Sequence, residues 1–264
     1  MKKGSFAGLI YREYYLGRAS YITSAVSFAA AALLGMLAVL SFRYGNFNLL
    51  FPDGTDTDTG IFKNKETADI VYLMIMTGIK YMPTVVACLL SFSVTDIASK
   101  DIMTSWNRFE HCTPVTPLRY AAVKLVSSAV STALSFVLAL GYMYAVTLAR
   151  GEDFTFGDLS LIVILIAFIT AWGAMAQISI ALLKNKDNGM LLSMVPIILF
   201  FVIVNLNNDS SSISSSDEPL DIKAIIGEIT NKAQAYFPIA AAVLAAAFLL
   251  LFVSMYLLYK RREK

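Results

Sequence analysis

The sequence predicts an all-α, polytopic membrane protein, and three observations carry that reading. Of its 264 residues, 57% are hydrophobic and 15% charged, against roughly 25% charged in an ordinary soluble domain, and the mean hydropathy is +0.65. The apolar residues gather into blocks of roughly 20, the length that crosses about 30 Å of hydrocarbon as a helix. The cations between those blocks are divided unevenly between alternate sides, the asymmetry that orients an inserted chain.

Blocks bounded by charge or turn residues place six transmembrane helices, at 20–42, 70–95, 118–148, 159–183, 190–206 and 236–259, in a single domain over 1–264. Lys80 and Pro83 interrupt the second block, which reads either as one long kinked helix or as an outer segment followed by a shorter span. Pro83 and Pro196 are both tolerable in membrane helices. Alternating the loops puts 14 cations on one face, from Lys2, Lys3, Arg12 and Arg18 through Lys100, Arg108, Arg119, Lys124, Lys184 and Lys186 to the Lys260, Arg261, Arg262 and Lys264 group. The other face receives 6: Arg43, Lys63, Lys65, Arg150, Lys223 and Lys232. The positive-inside rule makes the first face cytoplasmic, with both termini on it. Met1 to Ser20 lacks the short apolar core and cleavage site of a secretory signal, so the first span is expected to stay as a signal anchor. A net charge of +2, with no basic stripe, gives no footprint for nucleic acid.

Three connecting segments are patterned. Lys2 to Arg18 carries Phe6, Leu9, Ile10 and Tyr14 on one helical face and Lys3, Arg12, Glu13 and Arg18 elsewhere. It reads as an interfacial helix meeting anionic lipid, or as a topogenic leader for the first span. The loop from Thr95 to Pro117 places Ile102, Met103, Trp106 and Phe109 on one side of a short amphipathic helix, with Asp101, Thr104, Ser105, Arg108 and Glu110 elsewhere, ended by Pro114 and Pro117. An aromatic residue and an arginine there suit a protein-docking site; the alternative is a helix packed on its own bundle or on headgroups. In the outer loop at 207–235, the Ser- and Asn-rich stretch from Asn205 to Asp217 reads as solvated. Leu220 to Ala233 then has the spacing of a second interfacial helix.

Inside the spans, Lys80 is the conspicuous charge, and a charge at the bilayer centre costs at least roughly 2.5–3.5 kcal/mol. It either lines an outward cavity and meets substrate or snorkels to the outer interface. Ser127, Ser131, Ser135 and Ala139, like Ser27, Ala31 and Gly35, form small-residue stripes that let helices approach, or line a hydroxylated conduit. Trp172 and Gln177 read as bundle contacts. Cys88 lies in an apolar block and Cys112 in a basic loop, which does not suggest a disulfide. His111 is the sole histidine, so a metal site or triad has no second imidazole. No HExxH, no GxSxG and no intramembrane pair of acids is visible, so catalysis within this chain is not expected.

The acidic, lysine-bearing loop after the second span, followed by Trp106, by Thr113, Pro114 and Val115, and by Lys124 in the third span, resembles the permease subunits of ABC-2 type exporters. The narrower similarity is to the branch holding phenol-soluble modulin exporter permeases and related antimicrobial-peptide transporters, which often carry leucine where this chain has Thr113. The likeness implies a type V exporter-like permease in a bacterial cell membrane, with an elbow helix over 1–19 and a cytoplasmic coupling loop over 96–117. It implies that Lys100, Asp101, Ile102, Trp106, Arg108, Phe109 and Glu110 dock on a separate ABC ATPase. A substrate path would include Lys80, Ser127, Ser131 and Ser135. The implied partners are that ATPase, a second permease in a homo- or heterodimer, membrane lipid and an amphipathic peptide substrate. The sequence has no GxxxxGK[ST] phosphate loop, so ATP and Mg are expected on the partner. A secondary transporter or channel, and a non-transporting membrane immunity or scaffold protein, are the alternatives.

Overall fold

The computed structural model describes residues 6–44, 65–103, 115–195, 198 and 222–262, all of them helix or short connection with no strand among them. The elements are α1 (Phe6–Arg43), α2 (Lys65–Leu89), one 3-10 turn (Leu90–Ser93), α3 (Val94–Met103), α4 (Pro117–Arg150), α5 (Phe156–Leu183), α6 (186–195) and α7 (Ile222–Arg262). Among the described residues five stretches are long and apolar enough to cross a bilayer: Phe6–Arg43, Met74–Asp101, Pro117–Arg150, Phe156–Leu183 and Lys232–Lys260. Of the span expected at 190–206, only 190–195 and 198 are described. The Asn205 to Asp217 stretch lies outside the described residues.

The helices are longer and less interrupted than the sequence reading expects. α1 is a single helix of 38 residues, about 57 Å at 1.5 Å per residue, so residues 6–19, the described part of the expected elbow over 1–19, are continuous with the first span. Nothing between Arg12 and Ser20 breaks the helix. Gly17, its weakest helix former, is buried where α1 meets α3; a Cβ there would lie 3.0 Å from Ile97 Cδ1. α7 likewise runs 41 residues, joining 222–235 of the expected outer loop to the helix of the last span, which itself begins at Lys232. Pro238 removes one backbone bond, to the carbonyl of Gln234, without ending the helix.

The second apolar block passes from α2 through the 3-10 turn into α3 without a loop. The tightened turn changes which carbonyls are bonded, and neighbouring hydroxyls satisfy two of them: Ser91 donates to Cys88 O at 2.8 Å and Thr95 to Phe92 O at 2.8 Å. Thus the first half of the loop read from Thr95 is a continuation of the bundle.

α4 is the centre of that bundle. It meets α2 and α5 around Ala87, Cys88, Ala139, Met143 and Ile162, α5 and α7 around Ala121, Ala174 and Leu251, and α1 around Val39, Tyr142 and Val146. Hydroxyls bridge the same seams, as in Ser24–Ser93 at 3.1 Å and Thr132–Thr170 at 3.3 Å, bonds worth about 0.6 kcal/mol each in lipid. Asn185 Oδ1 accepts from the backbone N–H groups of Asp187 and Asn188 and caps α6, which is pinned to α5 where Trp172 Nε1 donates to Ser193 Oγ at 3.1 Å.

Pro83 shows how the bilayer constrains this packing. Having no N–H, it leaves the carbonyl of Ile79, four residues earlier, without its helical partner, and lipid offers none. The Tyr142 hydroxyl donates to Ile79 O at 2.7 Å. Gly35 of α1 makes room, since a Cβ there would lie 2.2 Å from the Tyr142 hydroxyl oxygen. Tyr142→Phe strands that carbonyl and is expected to destabilise the protein by about 1–3 kcal/mol, measured as earlier thermal unfolding in detergent. Gly35→Val, which expels the ring as well, is expected to cost more.

Candidate functional site

A closed ionic cluster joins three helices at one end of the bundle. On α3, Val94, Ile97, Ala98 and Asp101 recur at helical spacing and are all buried, which turns Asp101 toward α1 and α4. On α1, Glu13 and Gly17 lie one turn apart on the buried face. On α4, Lys124 stands seven residues after Pro117, whose fixed φ suits the first helical position. Lys124 Nζ reaches Glu13 Oε1 at 2.9 Å, Glu13 Oε2 at 2.8 Å and Asp101 Oδ2 at 2.8 Å. Arg12 of α1 pairs with the other oxygen of Asp101 and lies 3.4 Å from Glu13 Oε1.

Glu13, Asp101 and Lys124 are 1%, 3% and 2% exposed. Desolvating three such groups costs several kcal/mol per ion, offset here because two carboxylates face two cations and the ammonium spends its donors on carboxylate oxygens. The Tyr120 ring sits 5.5 Å from Lys124 Nζ and stacks on Tyr259 of α7 at 4.4 Å, closing the cluster from the last helix. Two further links tie α3 down: Lys100 Nζ donates to Leu16 O of α1 at 2.8 Å, and Lys186 of α6 lies 3.6 Å from Asp96. The second pair is well exposed and worth about 0–1 kcal/mol.

The other end of the bundle holds a second buried pair, Lys80 Nζ to Asp158 Oδ1 at 2.7 Å. Asp158 is positioned by the start of α5, where its other oxygen accepts from Thr155 N and Oγ1 and its own N–H donates to Thr155 Oγ1, a reciprocal cap. Lys80, read from the sequence either as lining an outward cavity or as snorkelling to the outer interface, is held by a carboxylate at the first turn of α5. The expected absence of intramembrane acids is corrected with it, since Glu13, Asp101 and Asp158 all lie within candidate spans or at their ends.

The expected docking set is divided. Asp101 is turned into the bundle by Lys124 and is unavailable to a partner, Lys100 points to α1, and Ile102 is described only as helical backbone. Trp106, Arg108, Phe109 and Glu110 lie outside the described residues, as do His111, Cys112, Thr113 and Pro114. Of the expected path residues, Ser131 and Ser135 are buried and donate back to the carbonyls of Ser127 and Ser131. Ser131 also meets the Tyr21 hydroxyl at 2.9 Å, a contact between α4 and α1 at the edge of a cavity that it lines too. Ser127 lines an apolar groove between α1 and α4. Among the described residues no three His, Cys, Asp or Glu side chains gather as metal ligands.

Sequence reasoning does not join Arg12, Glu13 and Lys124 as one site, because Arg12 and Glu13 read as interfacial and Lys124, although in the third span, counts among the cations of the cytoplasmic face. The available signal was Lys124 itself, a lysine two turns inside an apolar span, with acids unaccounted for in the preceding segments. Lys124→Met, of similar length and uncharged, leaves two carboxylates buried with Arg12 alone and is expected to cost about 3–5 kcal/mol; Lys124→Arg should recover part of that. Unfolding in detergent monitored by circular dichroism measures both.

Compared with known protein families, curated proteins and solved structures, the chain has no significant match.

Proposed function

We propose that the chain is the membrane-spanning permease subunit of an ATP-driven exporter, moved by a separate ATPase that docks on the segment between α3 and α4. The observation that carries this reading is the Lys124 cluster, which ties the start of that segment to two spanning helices at once. A push on the segment cannot shift α3 alone; it displaces α1 and α4 or breaks a buried charge pair. The ATPase binds ATP and Mg, for which this sequence has no phosphate loop. Trp106, Arg108, Phe109 and Glu110 follow α3 and form the docking face.

In this reading six spans place both termini in the cytoplasm of a bacterial cell, a second permease completes the path, and the cargo is an amphipathic or antimicrobial peptide. Cargo and pairing rest on the resemblance to ABC-2 type exporters. A secondary transporter gains one observation in its favour, the buried acids, but in the Lys124 cluster two carboxylates are matched by two cations. That balance describes a structural knot, with no spare charge to carry an ion.

Purification from mild detergent after co-expression with candidate ATPases tests the proposal. The expected result is a stoichiometric ATPase retained by the wild type and released by Trp106→Ala combined with Arg108→Glu, with ATP hydrolysis of the reconstituted complex stimulated by amphipathic peptides. A chain that purifies alone, or impermeant labelling of Cys112 from outside intact cells, contradicts it.

A further inference from the structure

A cavity of about 710 Å³ opens along the seam between α1 and α4. Its walls are apolar, with Val126, Val130, Leu134 and Leu138 on one side and Tyr14 and Ile22 on the other, and Leu90 at its floor. The two helices run in the same direction here, because Glu13 faces Lys124, Tyr21 faces Ser131, and Gly35 faces Tyr142.

The depth of the groove follows from α1. Tyr11, Tyr14 and Tyr15 are exposed near its start and Tyr44 at its end, and tyrosines of this kind gather at membrane–water interfaces. Tyr14 to Tyr44 is about 45 Å of helix, the thickness of a bilayer with its headgroups. On α1 the lining begins outside the Tyr14 level, at Ala7, Ile10 and Tyr11, and on α4 it runs inward from Val126 to Leu138, about 18 Å, to near the middle of α1. Inward of the Tyr14 level it therefore has the depth of one leaflet, roughly half of a 30 Å hydrocarbon core.

Arg18 supplies a charge beside the groove. It is not itself a lining residue, but it falls on the α1 stripe of Tyr11, Tyr14, Tyr21, Ile22 and Ala25, which are, one turn inside Tyr14, and it is exposed. It forms no hydrogen bond or ion pair with any described residue, unlike Arg12, Lys80 and Lys124, which all hold carboxylates. An unpaired cation beside an apolar groove, one turn inside the Tyr14 level and able to extend its long side chain back toward the headgroups, is complementary to an anionic amphiphile.

We infer that this groove is a binding site for one anionic phospholipid of the leaflet at the N-terminal end of α1, its acyl chain along α4 and its phosphate on Arg18. Native mass spectrometry of the purified protein, offered equal amounts of phosphatidylglycerol and phosphatidylcholine, tests the site. The wild type is expected to retain phosphatidylglycerol about fivefold over phosphatidylcholine, the preference one arginine near the surface provides. Arg18→Gln is expected to equalise the two lipids, and Val130→Trp, an exposed position that fills the groove, to lose both while unfolding at the wild-type temperature. Equal retention of the two lipids by the wild type overturns the inference, as does an undiminished preference in Arg18→Gln. A protein dimer that Val130→Trp dissolves puts a second copy in the groove and overturns it too.

Discussion

The ammonium of Lys124, held between Glu13 of α1 and Asp101 of α3, is the constraint on which the rest of the bundle depends. A lysine buried seven residues into a membrane helix is tolerable only if opposite charge is brought to it, and the two acids come from separate helices, Asp101 from the one just before and Glu13 from the first. The requirement explains why α1 stays straight through the region where an elbow is expected: bending away at Ser20 would pull Glu13 and Arg12 from their partners. It also explains why α3 runs on from α2 into the bundle, since Asp101 reaches Lys124 only if the helix continues past the 3-10 turn.

The same accounting of polar groups recurs along α4. Eighteen residues after Lys124, about 27 Å along the helix, the Tyr142 hydroxyl answers the carbonyl that Pro83 frees, and the next residue after Ile79 is Lys80, paired with Asp158. Between these ends the contacts are small side chains and hydroxyls, Ser131, Thr132, Ser135 and Ala139, with the apolar clusters around them. The bundle thus carries ionic ties near both ends and close apolar packing between, an arrangement in which helices can shift as units but individual polar groups cannot be left behind.

Much of this architecture is legible in the sequence, and the exceptions share a cause. The spans at 20–42, 70–95, 118–148, 159–183 and 236–259 coincide with helices because apolar length alone decides whether a segment crosses lipid. On the small-residue stripe of the third span, Ser135 and Ala139 are buried in the bundle while Ser127 and Ser131 line the groove beside α1. Helix ends are different: α1 and α7 absorb segments read as interfacial because continuity is decided by what the side chains meet, and Glu13 meets Lys124. Charge counting placed Lys124 among loop cations, and the boundary at 159 left Asp158 one residue outside its span, so neither ion pair was visible as a pair. Complementary charges in separate blocks are uninformative until the fold brings the blocks together.

The proposed role rests on α1, α3 and α4 moving as one body, which requires that the Lys124 pairs be coupled energetically and not merely adjacent. A double-mutant cycle on Lys124→Met and Asp101→Asn, read from unfolding of the purified protein, measures that coupling directly. The account predicts an interaction energy toward the upper part of the roughly 0.5–3 kcal/mol seen for residues in one ionic network, with the double mutant far less destabilised than the sum of the singles. Strict additivity, with each substitution acting as though the other residue were absent, would contradict it.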